Sequence, residues 1–386
     1  MSCIYQISHN IVSSLGFNSK ENYNAVVNNI SGLKIYPENS INIPEAFCAS
    51  VIDNTKFEDI SKQVSNLSDY NFFDKLCIYS AYEALQKTDI DPADPSCLFI
   101  LSTTKGNIDL LENHSLEQNI DNSLFLWHSA NIIGKYFNNP NKPIVVSNAC
   151  ISGVSAQIVA KRLLNFKKYN YVVVIGADLV SRFVVSGFQS FKALSPELCL
   201  PFDAERKGLN IGEAAATIIY GIDETCENLE NDKIILDAGT ITNDANHISG
   251  PSRTAEGLTL AINKCLENSG NIKPDFISAH GTATPYNDDM EALAFTRCKL
   301  ENTPAFSLKG YFGHTLGAAG LLETIISSMA LKNNMVIKSA GYSRCGVDNP
   351  VNIISKNQSL KANSFIKTIS GFGGCNAAIL IKKLVK

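Results

Sequence analysis

The sequence predicts an α/β protein built from two related halves. Short apolar runs with the composition of buried strands alternate with longer segments whose apolar residues recur at helical spacing, as in layered sheets and helices. In each half one strand-like run leads directly into a helix, near Cys150 in the first half and near His314 in the second. The carboxyl end of a strand that leads into a helix is a common place for reactive residues in α/β proteins. One such element in each half indicates an internal duplication, with the two reactive groups facing each other.

The elements follow in a regular order along the chain. The strand-like runs are CLFILST, PIVVSNA, YVVVIGAD, AATIIYG, KIILDAGTIT, DFISAHG, TPAFSLKG and AAILIKKL. A helical apolar period predicts helices over residues 71–87, 151–164, 256–268 and 318–331. The polar stretch DETCENLENDK is the best candidate for a break, and we divide the chain into halves at residues 1–228 and 229–386.

Composition narrows the class of protein. Of 386 residues 45% are apolar and 18% charged, with a net charge of −4, so neither nucleic acid nor an anionic membrane is predicted as a partner. No run approaches the ~18 consecutive apolar residues of a membrane span, and the start MSCIYQISHNIVSSLG does not have the regions of a signal peptide. Eleven scattered cysteines without a CxxC pair favour reduced thiols in a cytoplasmic protein over a disulfide framework or a zinc site.

Cys150 lies where the strand pattern of PIVVSNA changes into a helical one. A thiol at a helix amino terminus meets unpaired backbone N–H groups, which are expected to lower its pKa and favour the thiolate. Small neighbouring side chains leave room for a substrate. A buried structural cysteine explains the same position about as well, so Cys150 alone leaves both interpretations open.

Histidines supply the second candidate feature. His280 ends the strand-like run DFISAH, and His314 stands at another strand-to-helix junction. Together with Cys150 these histidines form a candidate active site. The sequence contains no HxxxH or HExxH motif, so no metal site is predicted. The other histidines stand without a motif and are interpreted as surface or packing residues: His9, His114, His128 and His247.

The third feature is the glycine-rich turn in TISGFGGCNAAILIKK, which surrounds Phe372. Glycines permit unusual backbone angles and a close approach of backbone N–H groups to a ligand. A plain hairpin turn is the competing interpretation. A phosphate loop fits less well, because no Lys-Ser/Thr pair follows the glycines.

Five stretches together resemble the signature blocks of elongating β-ketoacyl synthases, the condensing enzymes of fatty-acid and polyketide assembly in the thiolase superfamily. They are NACISG, PFDAERKGLNIGEAAA, AHGTATPYNDDMEA, SLKGYFGHTLGAAGLLE and GFGGCNAA, in the family's order and across essentially the whole chain. The resemblance implies a thiolase-like five-layered αβαβα fold and a dimer. It also implies no cofactor of the enzyme's own, because the substrates are carried on the phosphopantetheine arm of an acyl carrier protein.

The same resemblance implies the reaction. Cys150 matches the nucleophile that accepts an acyl chain, and its backbone N–H is expected to form half of an oxyanion hole. His280 and His314 match the two catalytic histidines. As neutral imidazoles they would donate hydrogen bonds to the enolate formed when a malonyl thioester loses CO₂. Attack of that carbanion on the acyl-cysteine gives a 3-ketoacyl chain two carbons longer.

Five further residues take their expected roles from the resemblance. Lys309 matches the lysine of the His314 block and is counted with the catalytic residues, while Glu323 matches an acidic residue that supports the histidines. Phe372 matches the gating aromatic, whose N–H is the other half of the oxyanion hole. Thr282 and Thr284 match the hydroxyls that hold the phosphopantetheine arm.

The chain also departs from the family pattern. The stretch LSDYNFFDKLCIYS, at the position of a commonly basic carrier-docking helix, holds Asp69 and Asp74 against Lys75, so another carrier surface is expected. LSPELCLPFD is shorter than usual and STTKGNID is poorer in glycine, which favours a specialised aryl-polyene, flexirubin-type or other polyene pathway. Cys375 stands where the family usually has threonine and is interpreted as structural.

Several alternatives make different demands on the sequence. A non-catalytic chain-length partner subunit would keep the fold and lose the nucleophile, whereas Cys150 is present. A degradative thiolase would need a second catalytic cysteine, for which Cys375 is the nearby candidate. A chain-priming ketosynthase would carry asparagine at His314, and a cysteine hydrolase would not need two histidines. The sequence leaves open whether the dimer is formed with a second copy or with a related subunit.

Overall fold

The computed structural model describes residues 2–40, 43–113 and 122–385. The strands are β1 (Cys3–Ser13), β2 (Lys34–Tyr36), β3 (Phe47–Ser50), β4 (Cys97–Ser102), β5 (Ile144–Val146), β6 (Tyr171–Asp178), β7 (Ile211–Gly212), β8 (Ala214–Asp223), β9 (Ile234–Asn243), β10 (Phe276–Ser278), β11 (Ala305–Phe306), β12 (Met335–Val336), β13 (Gln358–Ser359), β14 (Ser364–Gly371) and β15 (Cys375–Lys383). The helices are α1 (Ser19–Val27), α2 (Asn54–Ser61), α3 (Phe72–Leu85), α4 (Leu126–Tyr136), α5 (Ser152–Asn165), α6 (Arg182–Ser190), α7 (Glu256–Asn268), α8 (Pro285–Arg297), α9 (Lys309–Phe312) and α10 (Ala319–Lys332).

The four predicted helices are confirmed as α3, α5, α7 and α10, with ends within two residues of those predicted. The eight strand-like runs correspond to β4, β5, β6, β8, β9, β10, β11 and β15. Strand β1 was not predicted. It carries polar residues such as Gln6 and Asn10, which interrupt the apolar pattern but are buried by the surrounding fold.

The two halves have the same strand topology. The large sheet runs β11-β10-β14-β15-β9-β1-β8-β6-β4-β5. Numbered in chain order within each half, both sets of five strands read 3-2-4-5-1 from the sheet edge inwards, with two parallel pairings followed by two antiparallel ones. Within the described part of the sheet, the halves are joined by the register pair Tyr5–Ile235 between β1 and β9. This repetition confirms the predicted duplicated α/β fold.

Helices α5 and α10 pack against each other between the sheets of the two halves, in the largest apolar core. Helix α3 covers the outer face of the amino-terminal half, and α7 and α8 cover that of the carboxyl-terminal half, which completes five layers. The central contact depends on glycine: a Cβ on Gly320 would lie 2.5 Å from the backbone nitrogen of Val154. The close contact holds together the helices that follow the two reactive strand ends.

One of the acidic residues counted on the helix at the carrier-docking position is not on the surface. Asp74 lies in the first turn of α3 but is fully buried, and its Oδ2 accepts a hydrogen bond from Asn107 Nδ2 at 3.1 Å. Lys75 is mostly covered and pairs with Glu58 at 2.8 Å. Helix α3 buries Phe73 against the sheet, so Asp74 cannot form part of a carrier-docking surface.

The expectation that every cysteine is reduced is also wrong. Cys3 and Cys226 form a disulfide, with their Cα atoms 5.5 Å apart and 223 residues between them in sequence. Cys3 lies opposite Asp223 in the antiparallel pairing of β1 and β8, which brings the two sulfurs together. Because the two cysteines are brought together by strand pairing, their spacing in the sequence does not predict the disulfide. Nine cysteines are free.

The segment between β8 and β9 is the stretch where the halves were predicted to divide, and the division at residue 228 stays a prediction. The interpretation of His114 lies outside the described residues. In the described part of the chain, no helix combines the length and apolarity needed to cross a membrane.

Candidate active site

Cys150 and His314 occupy matching places in the two halves. Cys150 lies between β5 and α5, and His314 between β11 and α10, and both strands are the third of their half. His280 follows β10, and Phe372 lies in the turn between β14 and β15. All four line one cavity of about 600 Å³, as do Thr282 and Thr284. The structure therefore brings the predicted nucleophile, histidines, gating aromatic and hydroxyls together.

The thiol of Cys150 is buried at the inner end of this cavity. Burial raises its pKa to about 11, although Lys309, Lys105 and a hydrogen bond from the Phe372 N–H act in the opposite direction. The expectation of a pKa lowered by the helix amino terminus is therefore wrong, because desolvation of the thiolate outweighs the favourable contacts. Helix α5 begins two residues after Cys150.

The glycine-rich turn approaches the nucleophile closely. A Cβ on Gly371 would lie 3.0 Å from the backbone nitrogen of Cys150, so only glycine allows this approach. The backbone N–H of Phe372 acts on the Cys150 thiol and lowers its pKa. The ring of Phe372 packs on Phe188 and Phe191, with ring centroids 5.4 and 5.2 Å apart. The turn thus presents a backbone donor on one side and an aromatic cluster on the other.

His314 is held in one tautomer by its own backbone. The N–H of Leu316 donates to His314 Nδ1 at 3.2 Å, so the neutral ring carries its hydrogen on Nε2. That Nε2 is buried and has no hydrogen-bond partner among the described residues. A buried donor without a partner is costly, and it is therefore available to a ligand in the cavity.

His280 reaches the same state through a side chain. The Lys309 ammonium donates to His280 Nδ1 at 3.4 Å, which leaves the ring hydrogen on Nε2. The two imidazole rings lie edge to face, with centroids 5.1 Å apart. Burial, Lys309 and Lys367 hold the pKa of both histidines well below the usual range. Both rings are neutral at pH 7 and can donate hydrogen bonds from Nε2.

A buried charged cluster lies behind His280. Glu323 pairs through Oε1 with Lys309 and through Oε2 with Lys367, the latter at 2.8 Å. Both lysines are fully buried, and neither lines the cavity. Lys309, expected among the catalytic residues, therefore contacts the imidazole of His280 and does not itself line the cavity.

Sequence reasoning missed Lys367 and Glu291. Glu291 accepts hydrogen bonds from the backbone N–H groups of His280, at 2.7 Å, and Gly281, at 2.8 Å. The available signals were weak: Lys367 is the single charged residue in β14, and Glu291 is one of several acidic residues near the start of α8. Their importance follows from contacts between elements, which a linear pattern does not contain.

The predicted arm-binding threonines lie on the wall of the cavity. Thr282 Oγ1 and Thr284 Oγ1 are 2.8 Å apart, and the N–H of Thr282 donates to Asp288 Oδ1 at 2.9 Å. His247, interpreted from the sequence as a surface or packing residue, also lines the cavity. Its Nδ1 accepts hydrogen bonds from the backbone of Ser249 and Gly250, so this histidine is fixed to its own loop.

Cys375 does not line the cavity, in agreement with its interpretation as a structural residue. Its thiol donates to the Phe372 carbonyl at 3.2 Å, and burial raises its pKa to about 12. The cavity therefore brings together one buried thiol, two neutral imidazoles whose ring centroids are 5.1 Å apart, and a backbone N–H that lowers the pKa of the thiol. This set can accept an acyl group and stabilise negative charge on an oxygen beside it.

Family comparison gives a match over most of the chain. Residues 26–220 match the model of the beta-ketoacyl synthase N-terminal domain, and residues 234–343 match that of the C-terminal domain. A mitochondrial 3-oxoacyl-[acyl-carrier-protein] synthase of Arabidopsis thaliana is 30% identical over 66% of this chain and 59% of its own. A 3-oxoacyl-[acyl-carrier-protein] synthase 2 of Coxiella burnetii is 30% identical over 64% of this chain and 62% of its own. The chain thus spans about three fifths of the length of these curated relatives.

Solved structures share the fold along the whole chain. A beta-ketoacyl synthase from Burkholderia phymatum superposes with a TM-score of 0.88 at 22% identity, covering 100% of both chains. A ketosynthase (ApeO) in complex with its chain length factor (ApeC) from Xenorhabdus doucetiae gives a TM-score of 0.86 at 24% identity, covering 99% of this chain and 98% of the other. The fold is therefore the thiolase-like fold of ketosynthases.

Proposed function

The chain belongs to the β-ketoacyl synthase family, and we propose that it is a β-ketoacyl-[acyl-carrier-protein] synthase. The observation that carries the proposal is the geometry of the residues that line the cavity. His280 and His314 each have a hydrogen-bond donor at Nδ1, which leaves the ring hydrogen of the neutral imidazole on Nε2. The Cys150 thiol lines the same cavity, and the backbone N–H of Phe372 lowers its pKa.

In the first half-reaction, the Cys150 sulfur attacks the carbonyl carbon of an acyl thioester. The carbon–sulfur bond to the carrier breaks, and the carrier thiol leaves with the proton that the cysteine gives up. Negative charge on the carbonyl oxygen would be stabilised by the backbone N–H groups of Cys150 and Phe372. Because the thiol pKa is about 11, the resting cysteine is mostly protonated, and the proton must leave before the sulfur attacks as a thiolate.

In the second half-reaction, a malonyl thioester loses CO₂ and its thioester oxygen becomes an enolate oxygen. Two neutral Nε2–H donors, from His280 and His314, would hydrogen-bond to that oxygen as the charge appears. The carbanion then attacks the carbonyl carbon bound to Cys150, and the carbon–sulfur bond breaks. The products are CO₂, a 3-ketoacyl thioester two carbons longer and the cysteine thiolate, which takes up a proton from solvent.

The partner that follows from this reaction is an acyl carrier protein, whose phosphopantetheine arm would enter along Thr282 and Thr284. We further infer a dimer, with a second copy or a related subunit, because β5 is an edge strand of the sheet and an open edge can pair with another strand. A cytoplasmic location is inferred because nine of the eleven cysteines are free thiols, with the Cys3–Cys226 disulfide as the exception. The unusual stretches LSPELCLPFD and STTKGNID support a specialised, polyene-type pathway.

Two alternatives fit the site less well. A chain-length partner subunit without activity has no use for a buried cysteine beside two imidazoles with free donors. A thiolase would need a second catalytic cysteine in the cavity, and Cys375 is turned away towards the Phe372 carbonyl.

Intact-protein mass spectrometry with acyl-loaded carrier protein tests the proposal. The wild type and a Cys345→Ala control, which removes an exposed free thiol, should gain one acyl group, and Cys150→Ala should gain none. His314→Ala should still be acylated but should not release CO₂ from malonyl carrier protein. An acyl adduct on Cys150→Ala, or normal CO₂ release by His314→Ala, would contradict the assigned roles.

A further inference from the structure

We propose that Lys367 is a positioning residue for His280. Its ammonium holds the strand end that carries the imidazole, and it shares Glu323 with Lys309. Both contacts keep the His280 ring in the tautomer that directs its Nε2–H into the cavity. The expected effect of Lys367 on CO₂ release rests on the proposed function. Its effect on the tautomer of His280 does not, because the tautomer can be measured directly.

The first contact set acts on the backbone. Lys367 Nζ donates to the carbonyl oxygens of Ser278, at 3.1 Å, and Ala279, at 3.2 Å, which immediately precede His280. From the other side, Glu291 Oε1 accepts the N–H of His280 at 2.7 Å. Ser278 is the last residue of β10, and the N–H of Ala279 still donates to the Phe306 carbonyl at 2.9 Å, so His280 is the first residue beyond the sheet bonds. A buried ammonium and a buried carboxylate therefore support the backbone where the sheet bonds end and the histidine begins.

The next residue of β14 joins the two contacts. Thr368 Oγ1 donates to Glu291 Oε1 at 2.7 Å, while the Thr368 carbonyl accepts from Lys367 Nζ at 2.6 Å. Two consecutive residues of one central strand thus fix both sides of the His280 backbone. A strand is a rigid support. It therefore suits the His280 imidazole, whose position determines whether its Nε2–H can hydrogen-bond in the transition state.

The second contact set acts on the ring. Glu323 uses Oε2 for Lys367, at 2.8 Å, and Oε1 for Lys309, whose ammonium also reaches His280 Nδ1 at 3.4 Å. Without Lys367, the carboxylate would have a buried oxygen without a partner and could draw the Lys309 ammonium onto both oxygens. The donor at His280 Nδ1 would then be lost. The ring hydrogen would be free to move from Nε2 to Nδ1, which reverses the direction of donation.

Lys367 also contributes positive charge to the site. The titratable groups around it are Glu323 on α10, Glu291 on α8, Lys309 on α9 and the two histidines. Lys367 lowers the pKa of both imidazoles, in addition to burial and Lys309. Removing its charge therefore raises the pKa of His280, so the ring takes up a proton at a higher pH and ceases to be a neutral donor.

Lys367→Met is the first test variant, because it keeps most of the side-chain length and removes the ammonium. CO₂ release from malonyl carrier protein should fall by about 10- to 100-fold, the loss typical of groups that orient a functional side chain. Acylation of Cys150 should change by less than about threefold, since the backbone donors act there. The acidic limb of the CO₂-release profile should move to higher pH.

A control variant, a second Lys367 variant and an NMR measurement distinguish a positioning role of Lys367 from a purely structural one. Lys161→Met is the matched control, because Lys161 is a half-buried lysine on α5 close to Asp237 and outside the site. Lys367→Gln, which can still donate to a carbonyl, is used in the same assays if the methionine variant does not fold. Histidine ¹⁵N NMR should show the Nε2–H tautomer of His280 in the wild type and a shifted tautomer and titration in both Lys367 variants.

Equal losses of acylation and CO₂ release, with an unmoved pH profile and unchanged histidine signals, would overturn the inference. A wild type that neither acylates Cys150 nor decarboxylates malonyl carrier would instead contradict the proposed function. The NMR titration of His280 would still decide the positioning role in that case.

Discussion

The thiol of Cys150 and the imidazoles of His280 and His314 are all neutral at pH 7 for one reason. Each is buried, and burial disfavours the charged form, which raises the pKa of a thiol and lowers that of an imidazole. The neutral imidazoles are therefore suited to donation from nitrogen, whereas the neutral thiol must lose its proton before its sulfur can attack. Lys309 modifies this balance by lowering the pKa of all three.

Alkylation of Cys150 by iodoacetamide should report the raised pKa. Because only the thiolate reacts, the rate should rise about tenfold for each pH unit between 7 and 9 and show no plateau near neutrality. The measurement is peptide mass spectrometry of the Cys150 peptide in the folded protein, with exposed Cys345 as the internal reference. A rate already constant above pH 7 would mean that the helix amino terminus outweighs burial.

At the scale of elements, the site depends on how closely α5 and α10 pack. A Cβ on Gly320 would lie 2.5 Å from the Val154 backbone nitrogen, and one on Gly153 would lie 2.9 Å from the Gly317 carbonyl oxygen. Glycine normally weakens a helix by about 1 kcal/mol relative to alanine. Here that cost is offset by the close helix contact that lets the two reactive strand ends face one cavity.

Gly320→Ala should therefore destabilise the protein, although alanine is the better helix former. Overpacking of a filled core costs about 1–3 kcal/mol, so the urea midpoint should fall, and acylation of Cys150 should slow as α5 shifts. Gly187→Ala on α6 is the matched control, since a Cβ there meets nothing within 4 Å, and it should raise stability by up to about 1 kcal/mol. Equal midpoints for Gly320→Ala and the wild type would contradict the close contact.

At the scale of the whole molecule, the two halves are joined by packing, and one covalent link lies within the amino-terminal half. The pairing of Cys3 with Cys226 ties the start of β1 to the segment after β8 and closes a loop with a sequence separation of 223 residues. Closing so long a loop restricts the unfolded chain strongly. The same segment connects the amino-terminal half to β9, the first strand of the carboxyl-terminal half.

Thiol counting in denaturant tests this link directly. The wild type should show nine reactive thiols before reduction and eleven after it. Cys226→Ser should lower the free energy of unfolding by about 2–5 kcal/mol, whereas Cys345→Ser, at an exposed free cysteine, should change it little. Eleven thiols in the unreduced protein would contradict the disulfide.

Much of the molecule was readable from the order of residues alone. The alternation of strand and helix patterns predicted the layered fold, because the two periodicities follow from backbone geometry. The family blocks predicted Cys150, His280, His314 and Phe372, and the structure places all four on one cavity. Local patterns suffice for these features because each motif contains its own turn and its own reactive side chain.

Only the tertiary structure decided the electrostatics and the supporting contacts. The pKa of Cys150 rises rather than falls because desolvation depends on everything packed around the sulfur. Lys367 reaches Glu323 because β14 and α10 are neighbours in space, and Cys3 reaches Cys226 because β1 pairs with β8. Burial and contacts between distant segments are properties of the folded chain, so a linear pattern carries almost no signal for them.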